Sequence, residues 1–304
     1  MKRLIFALAA AVLCAVSAVA QPLDVQKKNV ENFSDVSAED YFVLKFFHSD
    51  TCSVTIRADL RISEYVQAFV KGGTLNLMLD EKKFSKELKK ELKQKGAATP
   101  VLEADVYLPS IKSVTLMDKV VLNIQNGFNL NSIEVNLTDN AEIQQMNIDC
   151  SNAEFKVSKS AKLSANVNVS SRLNVIASNS ANVSLTQNGG NVFIEQSNSA
   201  YVDLRATVTT IEVDASGGSE SHLSGTASLL KVTGTGVSRV DAELLESLDG
   251  EVMLTGAKCH VNIMENLKVN LTGGSMLTFK RKPVFEVERI LNSSLLTADD
   301  EKRK

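Results

Sequence analysis

Three consecutive stretches of the chain repeat one pattern with different letters: A153EFKVSKSAKLSANV, L173NVIASNSANVSLTQ and V192FIEQSNSAYVDLRA. Each begins with alternating apolar residues, continues through a turn rich in Ser and Asn, and ends with a small residue and a second alternating run. The pattern returns about every 19 residues between residues 133 and 279, which is typical of the coils of a solenoid. The sequence therefore predicts an all-β fold, a β-solenoid of parallel coils.

Alignment of the copies predicts which side chains face the interior. One column contains the first apolar residue after each turn: Ile143, Leu163, Val183, Val202, Leu223, Val240, Val261 and Leu277. Two positions earlier every residue is small: Ala141, Ala161, Ala181, Ala200, Ser221, Ser238, Cys259 and Ser275. The residues between these columns are mostly polar, so each copy alternates as a strand with one buried face does.

A column of hydroxyl residues just before the turn is predicted to stack at one corner of the coils. Its members in the alignment are Thr138, Ser158, Ser178, Ser197, Ser216, Thr233, Thr255 and Thr272.

The chain ahead of the repeat is a strand-rich lobe with a charged insertion. Lys71-Gly72-Gly73-Thr74 predicts a tight hairpin. Phe84, Leu88 and Leu92 recur every fourth residue among Lys and Glu, which predicts a short surface helix within residues 80–96. This helix is either a solvated insertion, which we favour, or a contact for anionic lipid or polysaccharide. The predicted units are a lobe at 21–109, a solenoid at 110–296 and a polar tail at 297–304.

The first residues, M1KRLIFALAAAVLCAVSAVAQ, have the pattern of a secretory signal peptide spanning residues 1–20. Lys2 and Arg3 precede a short apolar run that ends in Ala18-Val19-Ala20. A lipid anchor on Cys14 is the alternative, although Leu13 is bulkier than the residue that usually precedes a lipid-attached cysteine. We therefore expect export to the periplasm, the cell surface or the medium, with no transmembrane span in the mature chain.

The charge of the chain argues against a nucleic-acid-binding protein, and its cysteine content argues against a small fold held together by disulfides. The net charge is −3, which leaves no basic surplus for nucleic acid. Beyond Cys14, the chain carries Cys52, Cys150 and Cys259, an odd number that allows at most one intramolecular disulfide. We expect three free thiols, and any disulfide that does form would involve Cys52.

One pair of carboxylates is the candidate for a catalytic site. Glu195 and Asp214 lie one coil apart in an outward column, at a backbone separation of about 5 Å, which suits a two-carboxylate glycosidase. Lys231 follows them in the alignment. The favoured interpretation is a solvated charge column in which Lys231 offsets its neighbours. No catalytic residue is predicted, and Glu195 with Asp214 remains the alternative.

A second outward stripe, Tyr201, His222, Arg239 and His260, is a candidate for contact with a sugar or an acidic ligand. The alternative is an ordinary exposed strand face. His222 and His260 should lie two coils apart, roughly 10 Å, whereas zinc needs each donor atom about 2.0 to 2.1 Å away. No metal site is therefore predicted. Gly217-Gly218 and Gly273-Gly274 are interpreted as turn glycines, because a phosphate-binding loop needs a helix after it and none is predicted there. The sequence therefore predicts no phosphate-binding cofactor.

The phrases T51CSVTIRAD, G72GTLNLML and D105VYLPSIKSVTL, with Tyr65 between the first two, resemble a bacterial family called the head GIN domain of putative auto-transporter adhesins. The resemblance covers about residues 30–295. It implies an exported protein with a right-handed β-helical fold, a conjectured adhesive role and no established enzyme activity. Where that family usually has a Gly- and Ser-rich turn, this chain has L116MDKVVL, so an atypical first coil is expected.

Together these observations predict an exported, non-enzymatic protein of the cell envelope that binds a glycan or a surface protein. The alternatives are a polysaccharide hydrolase or lyase that uses a face of the β-helix, and a structural or assembly protein of the envelope.

Overall fold

Parallel strands stack coil upon coil in a β-solenoid of about ten turns, which confirms the predicted fold class. The structure is a computed structural model, and it describes residues 22–125 and 128–298. The predicted signal peptide, Cys14 and most of the polar tail lie outside the described residues. Within the described ranges, no helix has the length and apolar character that crossing a membrane requires.

The strands of the first third of the chain are β1 Leu23–Asn29, β2 Asp35–Ala38, β3 Val43–His48, β4 Ser53–Asp59, β5 Val66–Lys71, β6 Thr74–Leu79 and β7 Leu102–Leu108. The coils that follow contain β8 Ser113–Leu116, β9 Val121–Ile124, β10 Phe128–Leu137, β11 Glu142–Gln145, β12 Asn147–Val157, β13 Lys162–Ala177, β14 Asn182–Asn188, β15 Asn191–Gln196, β16 Tyr201–Ala215, β17 Glu220–Thr235, β18 Arg239–Thr255, β19 Lys258–Thr272, β20 Met276–Lys280, β21 Val284–Ile290 and β22 Leu295–Ala298.

Two parallel sheets form the walls of the rod. What we call the first sheet runs β6, β2, β8, β10, β12, β13, β15, β16, β17, β18, β19 and β21. The second sheet runs β7, β3, β9, β11, β13, β14, β16, β17, β18, β19, β20 and β22. Long strands such as β13 belong to both sheets because they bend round the corner between them.

The N-terminal lobe continues the same core. β2 and β3 pair on one side with β6 and β7 and on the other with β8 and β9, so one apolar cluster extends from Phe33 to Leu277. The antiparallel order β1, β4, β7 and the β5–β6 hairpin complete this end of the rod. The predicted insertion contains one helix, α1 Lys86–Leu92, whose N-cap Ser85 accepts a bond from the Leu88 amide.

The predicted alignment is wrong by two residues in two coils. Val202 pairs with Ser221 rather than Leu223, and Val240 pairs with Cys259 rather than Val261. The hydroxyl column has a further error of two residues in the coil that contains Val240, where Thr235 and not Thr233 continues the column. A shift of two residues keeps every side chain on the same face of a strand, so apolar alternation alone does not detect it.

Each turn from the first sheet to the second contains at least one residue in the left-handed region of φ. In the earlier coils that residue is Asp40, Asp118, Asp139, Lys159, Asn179 or Asn198, then Gly217, Gly236, Gly256 or Gly273, and in the last coil Asn292. The stretch L116MDKVVL makes this same turn at Asp118, so the first coil does not have the expected atypical turn. The backbone conformation is therefore maintained although the residue type changes.

Cys52, Cys150 and Cys259 are all buried and free, as expected. Burial raises the pKa of the Cys150 thiol to about 11 and raises that of Cys259 as well. Thiols of this kind act as small apolar side chains rather than as nucleophiles.

The turn residue Lys159 provides a test of the backbone constraint. Lys159→Gly should stabilise the protein by about 0.5–1 kcal/mol, because glycine adopts a φ of 60° without the strain of a Cβ. The loss of its exposed ion pair with Asp139 should offset only part of this gain. The matched control, Lys162→Gly in β13, should destabilise the protein by a similar amount, because this residue has an ordinary strand conformation. A change of the same sign for both variants in urea unfolding would contradict the left-handed conformation of Lys159.

Asp40 should make stability depend on pH. Burial, aided by Glu81, Glu39 and Asp118, raises the pKa of its carboxyl to about 6, while the bond from the Leu79 amide (2.7 Å) opposes that rise. The folded state therefore holds the proton more tightly than the unfolded state, and stability should fall as pH rises from about 4 through 6. Asp40→Asn keeps an acceptor and should remove this fall, so that melting temperatures differ between wild type and variant at pH 7 but agree at pH 4.

Candidate functional site

A row of charged side chains follows the outer face of the first sheet, one residue from each coil. Its members are Glu134, Glu154, Asn174, Phe193, Glu212, Lys231, Glu251, Lys268 and Glu286. Lysines neutralise the carboxylates at both ends of the row. Lys156 contacts Glu134 and Glu154 at 3.0 and 2.8 Å, and Lys231 contacts Glu251 at 3.0 Å.

This neutralisation does not extend to Glu212 in the middle of the row, nor to Glu195 and Asp214 in the adjacent row. Glu195, Glu212 and Asp214 come from two successive coils of the first sheet, yet among the described residues none of the three forms an ion pair. Glu195 and Asp214 are direct cross-strand neighbours, at the spacing of about 4.8 Å that parallel strands keep. Like charges in such a pair repel, so this part of the surface carries an uncompensated negative charge.

The three carboxylates border a depression of about 320 Å³. Ile176 and Phe193 form its apolar side, and both are half-buried although they point away from the core. The guanidinium of Arg172 lies 3.9 Å from the centre of the Phe193 ring, and its Nε donates to Asn174 at 2.7 Å. Arg172 therefore covers part of the aromatic face and is directed by Asn174 rather than by a carboxylate.

Depressions of about 370 and 490 Å³ lie on either side of this one along the same sheet. The former shares Arg172 and Asn174 with the central depression, and the latter is lined by Glu251, Lys268 and Phe285. The outer face of the first sheet is thus a shallow, interrupted groove parallel to the rod axis.

The carboxylates predicted from the sequence occupy this surface, and their expected lysine neighbour lies on it too, but in the adjacent row. Asp214 is followed in its row by Thr233, and Lys231 lies in the adjacent row between Glu212 and Glu251. Glu195 and Asp214 are both exposed to solvent. A catalytic carboxylic acid usually lies in a more enclosed setting than either of these positions provides.

The stripe predicted on the second sheet divides into two rows. Tyr201 pairs with Glu220, which pairs with Arg239, whereas His222 pairs with Asp241, which pairs with His260. Tyr201 and His222 still meet diagonally, with ring centres 5.5 Å apart. The alignment of these four residues in a single row was wrong for the same reason as above, a two-residue shift.

His260 lies close to Asp241 and Glu243, and their ligand atoms fall within 4.8 Å of one another. Arg239 approaches Asp241 at 3.6 Å, and Lys280 contacts Glu243 at 2.5 Å. Side-chain cations therefore already balance both carboxylates, and a metal ion is not needed for charge balance.

The sequence analysis missed Arg172, Phe193 and Glu212. A usable signal was present, since the alternation Val192-Phe193-Ile194 directs the phenylalanine outward in a chain with only 5% aromatic residues. Glu212 was missed because the sequence alignment did not follow its row, and Lys231, which lies in that row, was placed after Asp214 instead.

Several solved structures are similar to the chain at 13–14% identity. A "putative adhesin" from Parabacteroides distasonis is 13% identical with a TM-score of 0.44 and coverage of 92% of this chain and 98% of that one. A "putative adhesin" from Parabacteroides merdae is 13% identical (TM-score 0.40, coverage 91% and 96%), and a "Putative lipid binding protein" from P. distasonis is 14% identical (0.38, 91% and 97%). No curated protein matches the chain.

A family described as "Putative auto-transporter adhesin, head GIN domain" matches residues 32–185 and 162–283. The two matches overlap and together span most of the chain, in agreement with the phrases of the N-terminal lobe and the coils behind them. The chain belongs to this head GIN domain family.

Proposed function

We propose that this protein is an exported, non-enzymatic binding module of the adhesin kind, and that its ligand docks on the first-sheet groove around Phe193. The observation that carries the proposal is the interruption of the charge row. Carboxylates elsewhere along the row contact a lysine at ion-pair distance, whereas Lys231 contacts Glu251 and not its other neighbour, Glu212. Glu195 and Asp214, in the adjacent row, have no such contact among the described residues.

The chemistry of this surface favours a ligand with a positive charge beside an apolar group. Such a charge would relieve the repulsion between Glu195 and Asp214, and Ile176 with Phe193 would receive the apolar part. Arg172 already covers part of the Phe193 ring, so a sugar has less aromatic surface to stack on. The groove extends over several coils, which fits an extended basic segment of another protein better than a compact ligand.

Binding should therefore depend on the unpaired carboxylates. Glu212→Gln should weaken the binding of a short Lys/Leu peptide about fivefold in fluorescence anisotropy at low salt, by loss of about 1 kcal/mol of ionic attraction. The matched control, Glu251→Gln, changes the net charge equally in the same row but removes a carboxylate that Lys231 already neutralises, and it should change affinity less than about twofold.

Higher ionic strength should weaken peptide binding by the wild type, and it should reduce the difference in affinity between Glu212→Gln and Glu251→Gln. Equal effects of both substitutions would mean that the peptide senses only net charge, and the groove would not be the site. Selective binding of amino sugars in place of the peptide would assign a glycan ligand.

The charges that favour ligand binding should destabilise the protein when no ligand is bound. Glu195→Gln removes like-charge repulsion with Asp214 and should raise stability by about 0.2–1 kcal/mol in urea unfolding, while it weakens peptide binding. A purely structural role for Glu195 would predict a loss of stability instead. Phe193→Ala should reduce binding with little effect on the fold, since this side chain lies outside the core.

The adjacency of Glu195 and Asp214 leaves a glycan-cleaving enzyme as the second candidate. Wild type is expected to release no reducing ends from a broad panel of polysaccharides. Cleavage that Glu195→Gln abolishes would replace the binding proposal with the enzymatic one.

A further inference from the structure

The last coil leaves the interior of the rod open at the C-terminal end. β21 pairs only with β19, and β22 pairs only with β20, so within the described chain each has one free strand edge. The inward residues Phe285, Val287 and Ile290 are 37%, 50% and 37% exposed. Their partners one coil earlier, which are Leu267, Val269 and Leu271, are each 0% exposed.

The N-terminal end differs because its core positions are covered. Ile62, Val66, Phe84 and Leu102 are all buried where the antiparallel strands and the insertion complete the lobe. A head-to-tail stack would therefore set an open apolar end against a closed one. Two C-terminal ends, in contrast, match each other in exposing both core residues and free strand edges.

The strand β21 is also complementary to itself when two copies run antiparallel. Glu286 and Arg289 both point outward, since they pair with the outward residues Lys268 and Asn270, and Phe285 and Ile290 both point inward. The pairing of β21 with β19 skips Glu288, which leaves a bulge between Val287 and Arg289. An antiparallel pair centred between Val287 and Glu288 sets Glu286 opposite Arg289 of the second copy, and Phe285 opposite Ile290 of that copy. By symmetry each of these pairs occurs twice.

We infer that the C-terminal end of the solenoid is a self-association surface, at which a second copy of this chain joins end to end through antiparallel pairing of β21. The contact continues the hydrogen-bond ladder across the two-fold axis and covers the apolar positions that the last coil leaves exposed. Because the same patch serves both copies, assembly closes at a dimer.

The test is the molar mass of the secreted chain by light scattering over a range of concentrations. Wild type should form a dimer, and Glu286→Arg should raise the dissociation constant at least about tenfold, because arginine then faces Arg289 of the second copy. Adding Arg289→Glu to Glu286→Arg should restore dimerisation. This rescue distinguishes a lost contact from a damaged fold.

The control Glu251→Arg makes the same charge change in the middle of the rod and should leave the dimer intact. A second variant, Val287→Asp, places a charge at a position already half exposed, and it should give a monomer with unchanged far-ultraviolet circular dichroism. A monomeric wild type, a dimer indifferent to both charge changes, or a mass that keeps rising with concentration would each overturn the inference. None of these outcomes bears on ligand binding at the Phe193 groove.

Discussion

Parallel hydrogen bonding between successive coils is the constraint on which the rest of this structure depends. Each coil must lie about 4.8 Å from its neighbours along the whole ladder, so every side chain is stacked on the side chains at the same position above and below. Inside the rod this requires rows of Ala, Val, Ile and Leu that fill a narrow space. At the turns it requires a left-handed residue in register in each coil, supplied first by Asp, Lys or Asn and later by Gly.

The same stacking governs the outer surface. Charges that recur in register are neighbours whether or not they attract, and most of the first-sheet row resolves this with alternating lysines and carboxylates. The coils that carry Glu195, Glu212 and Asp214 leave the repulsion in place beside an outward phenylalanine. A scaffold selected only for stability would gain from a lysine there, and this unresolved charge is the physical reason for proposing a binding surface on these coils.

A solenoid must also end, and its two ends are built differently. At the N-terminus the chain leaves the coil path and returns as antiparallel strands, which cover the core. At the other end of the described chain, β21 and β22 each pair with one strand and leave apolar positions exposed. An open parallel edge with apolar positions beneath it is a template for another strand, so the geometry of the last coil bears directly on assembly.

A buried glutamine illustrates how local exceptions are accommodated. Gln187 is fully buried, and its side-chain amide accepts from the Val169 amide at 3.1 Å and donates to the Val169 carbonyl at 2.8 Å. The side chain thus supplies the bonds that a backbone peptide supplies elsewhere in the ladder. In the sequence, Gln187 occupies an inward position of the alternation, and no local pattern predicts that its side chain bonds to the backbone of Val169.

The sequence by itself determined the fold class, the coil length, the inward and outward faces and the short helical insertion. These follow from alternation, turn residues and a fixed period, which are local properties of the chain. Only the tertiary structure decided which residues share a row. It moved Lys231 away from Asp214, divided Tyr201 and His222 between rows, and brought Arg172, Phe193 and Glu212 to one depression. The reason is that a two-residue shift leaves the pattern of burial unchanged, so register is set by the stacked coils and not by the alternation of any one of them.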